Sequence, residues 1–348
     1  MKPLLLLLIF LFASSSFAQY VIPPNVALPS PNGSSMSWIG AGTDTTGKTH
    51  LLIEARTPDF TKAGHFVSTD GGKTWSGSDT IPSALYGNNP WGAIDENKGY
   101  AYDSYNFNNV ARSTDWGSTW DTAHYTFYSG FGDAPSIIVD NGKYSAYESR
   151  VYVCGTYYFV YSTNYGVSFD TVFNTVLFGG LGVSIPTVIV DGSGNVLVFN
   201  PQDRMYVAYS TDGGAAWKEY YIGNTHSDMS SSLPTGACPG YKDFSAASHG
   251  NFTCIVYEDG TGMAFDWSTN AADTTSTWNH SYIEYTAGGT LHTAYGGMPD
   301  VALDSAGNVY IAYYAKISTV GYTDTGNYAY SVLMSPDSGS TWNGHSAL

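Results

Sequence analysis

Three carboxylates stand near the ends of short apolar runs: Glu54 in Leu51-Leu-Ile-Glu-Ala-Arg56, Asp103 in Tyr100-Ala-Tyr-Asp-Ser-Tyr105 and Glu258 in Cys254-Ile-Val-Tyr-Glu-Asp259. Two carboxyl groups held about 5–10 Å apart suffice to hydrolyse a glycosidic bond by a retaining or an inverting route. Glu54 with Asp103, or Glu258 with a partner opposite, are the candidate catalytic pairs. An acidic chain carries solvated carboxylates on its loops in any case, so the pairing must come from the fold. Arg56, Tyr105, Arg204, Asp259 and Tyr295 are the candidate ligand-binding residues. Guanidinium groups grip anions bidentately, and tyrosine offers an apolar ring with a polar edge. Metal chemistry is not expected, because the eight histidines are scattered singly with no H-x-x-x-H or Cys/His cluster. No phosphate-binding glycine loop stands out, so no cofactor is expected either.

Composition narrows the partners. The chain of 348 residues holds 13 Lys+Arg against 29 Asp+Glu, a net charge of −16, which disfavours nucleic acid and other polyanions. At 43% apolar it has material for a real core. Lys2, the apolar run Leu4 to Phe12 and the small-residue stretch ending at Ser16-Phe17-Ala18 read as a signal peptide over residues 1–18. The run is too short to cross a bilayer as a helix, and no later stretch replaces it. The mature chain is therefore expected to be secreted or periplasmic, with no membrane span. Of three cysteines, Cys238 and Cys254 are near enough in sequence to pair, and Cys154 reads as a buried thiol.

The elements that must position these residues come from a repeat. Ser68-Thr-Asp70-Gly-Gly-Lys-Thr-Trp75 recurs around Asp115 and Trp120, Asn164 and Phe169, Asp212 and Trp217, and Asp337 and Trp342. The acidic position advances by 45, 49 and 48 residues, then by 125, and a lengthened copy at Ser268-Thr-Asn270 to Trp278 divides that last gap. Each copy follows alternating apolar strands joined by Gly/Asn turns, the signature of antiparallel hairpins. Six units of four strands predict an all-β, six-bladed β-propeller over residues 19–348, with blades near 36–86, 90–128, 134–178, 186–224, 243–287 and 297–348. The last unit leaves little chain for a fourth strand after Trp342, so Tyr20-Val21-Ile22 is expected to complete it; a chain cut before a further domain would read the same way.

The pattern S-x-D-x-G-x-x-W resembles the Asp-box of the sialidase-type (BNR repeat) β-propellers. The resemblance covers almost the whole mature chain. Within it Asp70, Trp75, Asp115, Trp120, Asn164, Phe169, Asp212, Trp217, Asp337 and Trp342 are structural: the carboxylate accepts amides of its own turn, glycine allows positive φ, and the aromatic ring packs back between sheets. Asp-boxes lie on the turn from third to fourth strand, so the candidate site lies on the opposite face, among the second-to-third loops.

Sialidases are known for three arginines that hold the substrate carboxylate, an aspartate acid/base, and a tyrosine nucleophile paired with a glutamate. This chain has four arginines, and Arg112 and Arg150 fall on the Asp-box side, leaving Arg56 and Arg204. The resemblance therefore implies a propeller that engages glycan or another extracellular ligand through its loop face. A glycoside hydrolase and a structural or protein-interaction propeller are the alternatives.

Overall fold

The computed structural model describes residues 35–56, 63–78, 90–105, 109–121, 125–126, 135–155, 158–173, 186–201, 205–222, 244–258, 262–287, 290–294, 296–316 and 328–345. These segments build six antiparallel four-stranded blades and no helix. Blade one is β1 (Ser35–Thr43), β2 (Thr49–Arg56), β3 (Ala63–Ser68) and β4 (Ser76–Ser78). Blade two is β5 (Trp91–Asp95), β6 (Tyr100–Tyr105), β7 (Asn109–Ser113) and β8 (Tyr125–Thr126). Blade three is β9 (Ser136–Val139), β10 (Val151–Gly155), β11 (Tyr158–Ser162) and β12 (Asp170–Phe173). Blade four is β13 (Thr187–Val190), β14 (Val196–Pro201), β15 (Met205–Ser210) and β16 (Lys218–Tyr221). Blade five is β17 (Phe244–His249), β18 (Phe252–Glu258), β19 (Met263–Ser268) and β20 (Asn279–Tyr282). A hairpin of β21 (Glu284–Ala287) and β22 (Thr290–Thr293) leads into blade six: β23 (Gly296–Leu303), β24 (Val309–Lys316), β25 (Tyr328–Ser335) and β26 (Trp342–His345). Each blade is a simple meander. The first strands of successive blades, β1, β5, β9, β13, β17 and β23, neighbour one another in that order.

Two details differ from expectation. The sixth blade has its own fourth strand, β26, so it does not need a strand from elsewhere; Tyr20 to Ile22 lie outside the described residues. Beyond β26 the sheet continues, because β21 runs parallel to it through Tyr285↔Trp342 and Thr286↔Asn343. Residues 284–287, assigned by sequence to blade five, thus belong to the outer edge of blade six.

The core consists of seams between blades. Alternation within a strand sends successive side chains to opposite neighbours. In β6, Ala101 and Tyr105 join the cluster shared with Leu52 and Val67 of blade one, while Tyr102 joins Ile137 and Val153 of blade three. Middle strands are therefore buried on both faces and read as continuous apolar runs; all five residues of β10 are buried. Cys154 lies buried among them, and Cys254 is a buried free thiol between blades five and six. Its apolar surroundings push that thiol up to about 12. The expected partner, Cys238, lies outside the described residues.

The repeated turn closes each seam. In blade four, the Ser210 hydroxyl donates to Asp212 Oδ1 at 2.7 Å and accepts the Gly214 amide at 2.8 Å. Asp212 Oδ1 also accepts the Ala216 amide at 2.8 Å, and Trp217 Nε1 donates to the Gly214 carbonyl at 2.9 Å. The aromatic ring then enters the seam with the preceding blade, as Trp120, Phe169, Trp217, Trp278 and Trp342 all do. Gly117 has φ 83°, and a Cβ there would approach Leu52 of blade one to 2.8 Å, so conformation and packing both require glycine.

Candidate functional site

The register of blades one and two brings Glu54 and Asp103 together. Glu54 shares its strand face with Leu52, and Asp103 shares its own with Ala101 and Tyr105, so both carboxyl groups turn into the seam between these blades. Each stands two residues inside its strand, near the end of β2 or β6 that leads to the second-to-third loop. Both were expected on loops; both are strand residues with 0% exposure.

Their neighbours follow from cross-strand pairing. Glu54 lies opposite Trp38 on β1 and opposite His65 on β3. Asp103 lies opposite Gly92 on β5 and Ala111 on β7, two positions that offer almost no side chain. The Trp38 ring occupies the space over Gly92, where any Cβ would collide with it. Trp38 thus walls the pair on the side of the first strands. On the other side His65 is 7% exposed and meets the Trp120 ring edge-on at 5.6 Å.

Electrostatically the seam is unsatisfied. Both oxygens of Glu54, both of Asp103 and Nδ1 of His65 are buried without a hydrogen-bond partner. Burial pushes the Glu54 carboxyl well above the carboxylate range, and the Asp103 charge beside it pushes further in the same direction. Burial does the same to Asp103, offset in part by the Trp91 backbone. His65 goes the other way: burial lowers it from 6.5 to about 4, against an opposing pull from the Asp115 charge.

The remaining nominees separate. Tyr105 is fully buried in the apolar cluster of the same seam rather than presented as a platform. Arg56 closes β2, and Glu258 closes β18 opposite Met263. Arg204, Asp259 and Tyr295 lie outside the described residues. The other two arginines are engaged on the repeated-turn face. Arg112 pairs with Asp121 at 2.8 Å and donates to the Tyr165 carbonyl of blade three, while Arg150 donates to the Gly213 carbonyl of blade four at 2.6 Å and stacks on Tyr147 and Tyr161. Each ties its blade to the next blade's turn.

Trp38 and His65 escaped the sequence reading. Their signal was there in the period of two: an acid at an inward position of an apolar strand must be faced by something, and register names what. Asp266, another buried acid, contrasts with the pair. It accepts Tyr257 Oη at 3.0 Å and bonds His280 Nδ1 at 2.6 Å. Among the described residues no group of three His, Cys, Asp or Glu side chains is placed to hold a metal ion. No helix of the described residues is long and apolar enough to cross a membrane.

No family model matches this chain, and no curated protein matches it. Solved structures do. Over 91% of this chain, the GH74 xyloglucanase of Xanthomonas campestris superposes with a TM-score of 0.57 at 16% identity. The leech intramolecular trans-sialidase does so over 82%, with 0.52 at 11%. YCF48 bound to D1 peptide does so over 89%, with 0.50 at 12%, and 84% of its own length is covered. The chain spans 46% of the xyloglucanase and 65% of the trans-sialidase. In fold, the chain is a six-bladed β-propeller of the kind found among sialidases.

Proposed function

We propose that the chain is an exported propeller that engages glycan at the loop-side end of the seam between blades one and two. The observation behind this reading is the concentration of unused hydrogen-bonding capacity there: four carboxylate oxygens and an imidazole nitrogen, beside the Trp38 indole. Carboxyl oxygens accept hydrogen bonds whether or not the group carries a proton. A polyhydroxylated ligand brings donors, and its apolar C–H faces suit an indole. The xyloglucanase and the trans-sialidase, named for carbohydrate chemistry, share the fold and lend support without deciding the substrate.

Hydrolysis by two carboxylates is the second reading, favoured by the raised Glu54 and Asp103, since a general acid must hold its proton near neutrality. Sialidase chemistry is disfavoured because Arg112 and Arg150 are committed to the opposite face. The test is a glycan array with reporter-substrate hydrolysis on the purified mature chain, alongside Glu54→Gln and Asp103→Asn. Glycan retention weakened by either change supports the seam. Turnover abolished by either change promotes the hydrolase reading. Retention and turnover indifferent to both changes would remove the seam as the site. No glycan retained at all would leave the protein-interaction alternative.

A further inference from the structure

We propose that the repeated-turn face carries a second binding surface, a strip along the seam between blades two and three that holds a neutral polysaccharide chain on Tyr144 and Tyr165. The strip lies on the face opposite the loop-side end of the first seam, so the inference does not rest on the glycan reading made there.

Tyr165 is the clearest sign. It occupies the position after the acceptor residue of blade three's turn, with a left-handed φ of 59°. Blades one and four put Gly71 and Gly213 at that position, with φ 72° and 71°. Glycine adopts this conformation without strain and a tyrosine does not. The turn itself therefore gains nothing from the ring. Blade two has Trp116 there, at φ 61°, but that indole stacks on His50 at 4.2 Å and packs into the first seam. Tyr165 instead remains 40% exposed, with Val167 close by at 62%. Two contacts fix its ring: Tyr100 meets it edge-on at 6.0 Å, and Lys98 Nζ stands over it at 5.6 Å. A ring already fixed and exposed loses little freedom when a ligand settles on it.

Tyr144 is the second platform. It is 93% exposed on the turn from β9 to β10, and Lys143 Nζ lies over its ring at 5.9 Å. That turn is fastened to blade two. Asn141 Oδ1 accepts the Glu96 amide at 2.9 Å, and its Nδ2 donates to the Ile94 carbonyl at 2.8 Å. Because the first strands of successive blades neighbour one another, turns between first and second strands lie toward the ring axis. Turns between third and fourth strands lie outward. Tyr144 and Tyr165 therefore mark the inner and outer parts of one strip, and the blade-two turn through Glu96 and Lys98 touches both segments.

Two features select the ligand class. The amides of Asn97, Lys98, Gly142, Gly166 and Ser168 all donate within their own turns, so the strip presents side chains rather than a main-chain ladder for a peptide. Its charges are mixed: exposed Lys98 shares a turn with exposed Glu96, exposed Lys143 shares one with exposed Glu148, and Arg112 pairs with Asp121 at 2.8 Å. A polymer charged in either sign meets repulsion along such a strip. A neutral sugar chain offers hydroxyls to the amines and carboxylates, and C–H faces to the rings.

The experiment is affinity electrophoresis of the mature chain through gels holding hydroxyethylcellulose, glucomannan or amylose, with polygalacturonate as the anionic comparison. At least one neutral polymer should retard the unmodified chain, and the retardation should persist in high salt. Tyr144→Ala and Tyr165→Gly should each weaken retention about three- to tenfold, the scale of one aromatic contact. Neither threatens the fold, since Tyr144 is exposed and glycine at 165 reproduces the turns of blades one and four. Tyr144→Phe, which keeps the ring, should retain binding. Tyr221→Ala, at an exposed tyrosine of blade four outside the strip, should leave retention unchanged. Neutral-polymer retention that both strip variants leave intact would overturn the proposal and leave the first-seam reading standing. Retention weakened as much by Tyr221→Ala, retention by polygalacturonate alone, or retention by none of the four polymers would overturn it too.

Discussion

The acids of the repeated turns and the acids of the first seam are the same chemical groups in opposite circumstances. Asp70 accepts the Thr74 amide at 2.9 Å and the Thr74 hydroxyl at 2.6 Å, and these bonds hold its carboxyl down at about 2. Asp115 and Asp337 repeat the arrangement. Glu54 accepts no such bond and is pushed up, and burial pushes Asp103 up too despite the opposing Trp91 backbone. Repetition explains the difference. The side-chain acceptor that recurs once per blade, an aspartate in four turns and an asparagine in two, is one the fold itself uses, since every blade must make the same turn and close the same seam. A carboxylate that occurs in one seam only, at the loop end, answers a local demand that the other blades do not share. Asp266, buried like the pair but held by Tyr257 and His280, shows that burial alone does not leave an acid without partners.

The comparison breaks most visibly at the turn aromatics. Trp120 is 7% exposed and fills the seam that also contains the acid pair. Trp120→Ala should lower unfolding free energy by about 3–5 kcal/mol in denaturant titrations, through lost burial and the cavity left behind. It should also unseat His65, whose ring meets the indole at 5.6 Å. If Trp120→Ala costs under about 1 kcal/mol, the seams are not the core.

The next effect belongs to His65. Its folded value is depressed from 6.5 to about 4, so its contribution is present above about pH 6.5 and is lost as pH falls through about 4. A shift of that size corresponds to about 3 kcal/mol between the two limits. His65→Gln should remove this acid limb. Stability measured by denaturant across pH 3.5–7 checks it; an unchanged acid limb would place the titrating group elsewhere.

What the sequence disclosed follows the same division. Everything repeated was legible: the S-x-D-x-G-x-x-W spacing placed the turns, and alternation between them placed the four strands. The β21–β22 hairpin was not, because its parallel pairing with β26 joins residues 285 and 342, and no local pattern encodes so distant a contact. β26 itself, Trp342-Asn-Gly-His345, has none of the alternating β-branched residues that mark a strand. Glu54 and Asp103 were found as residues but assigned to loops. Treating Leu52 and Glu54, or Ala101, Asp103 and Tyr105, as one inward face would have put them in the seam. Trp38 needed more, since only the close approach permitted by Gly92 brings its ring over the neighbouring blade.

The smallest effect tests the turn side of the comparison. Blade three carries Asn164, and blade five Asn270, where the other four turns have aspartate. Asn164 Oδ1 accepts the Ser168 amide at 2.9 Å and the Ser162 hydroxyl at 2.9 Å, and its Nδ2 donates to the Ser168 hydroxyl at 2.8 Å. The turn therefore needs the acceptor oxygen and not the charge. Asp115→Asn can reproduce this geometry by rotating the Thr119 hydroxyl from donor to acceptor, and should cost within about 1 kcal/mol at neutral pH, the scale of one exchanged hydrogen bond. Asp115→Ala removes the acceptor for the Thr119 amide as well and should cost more than Asp115→Asn. Measured side by side in denaturant, equal losses from the two substitutions would mean that charge, not hydrogen bonding, holds the turns.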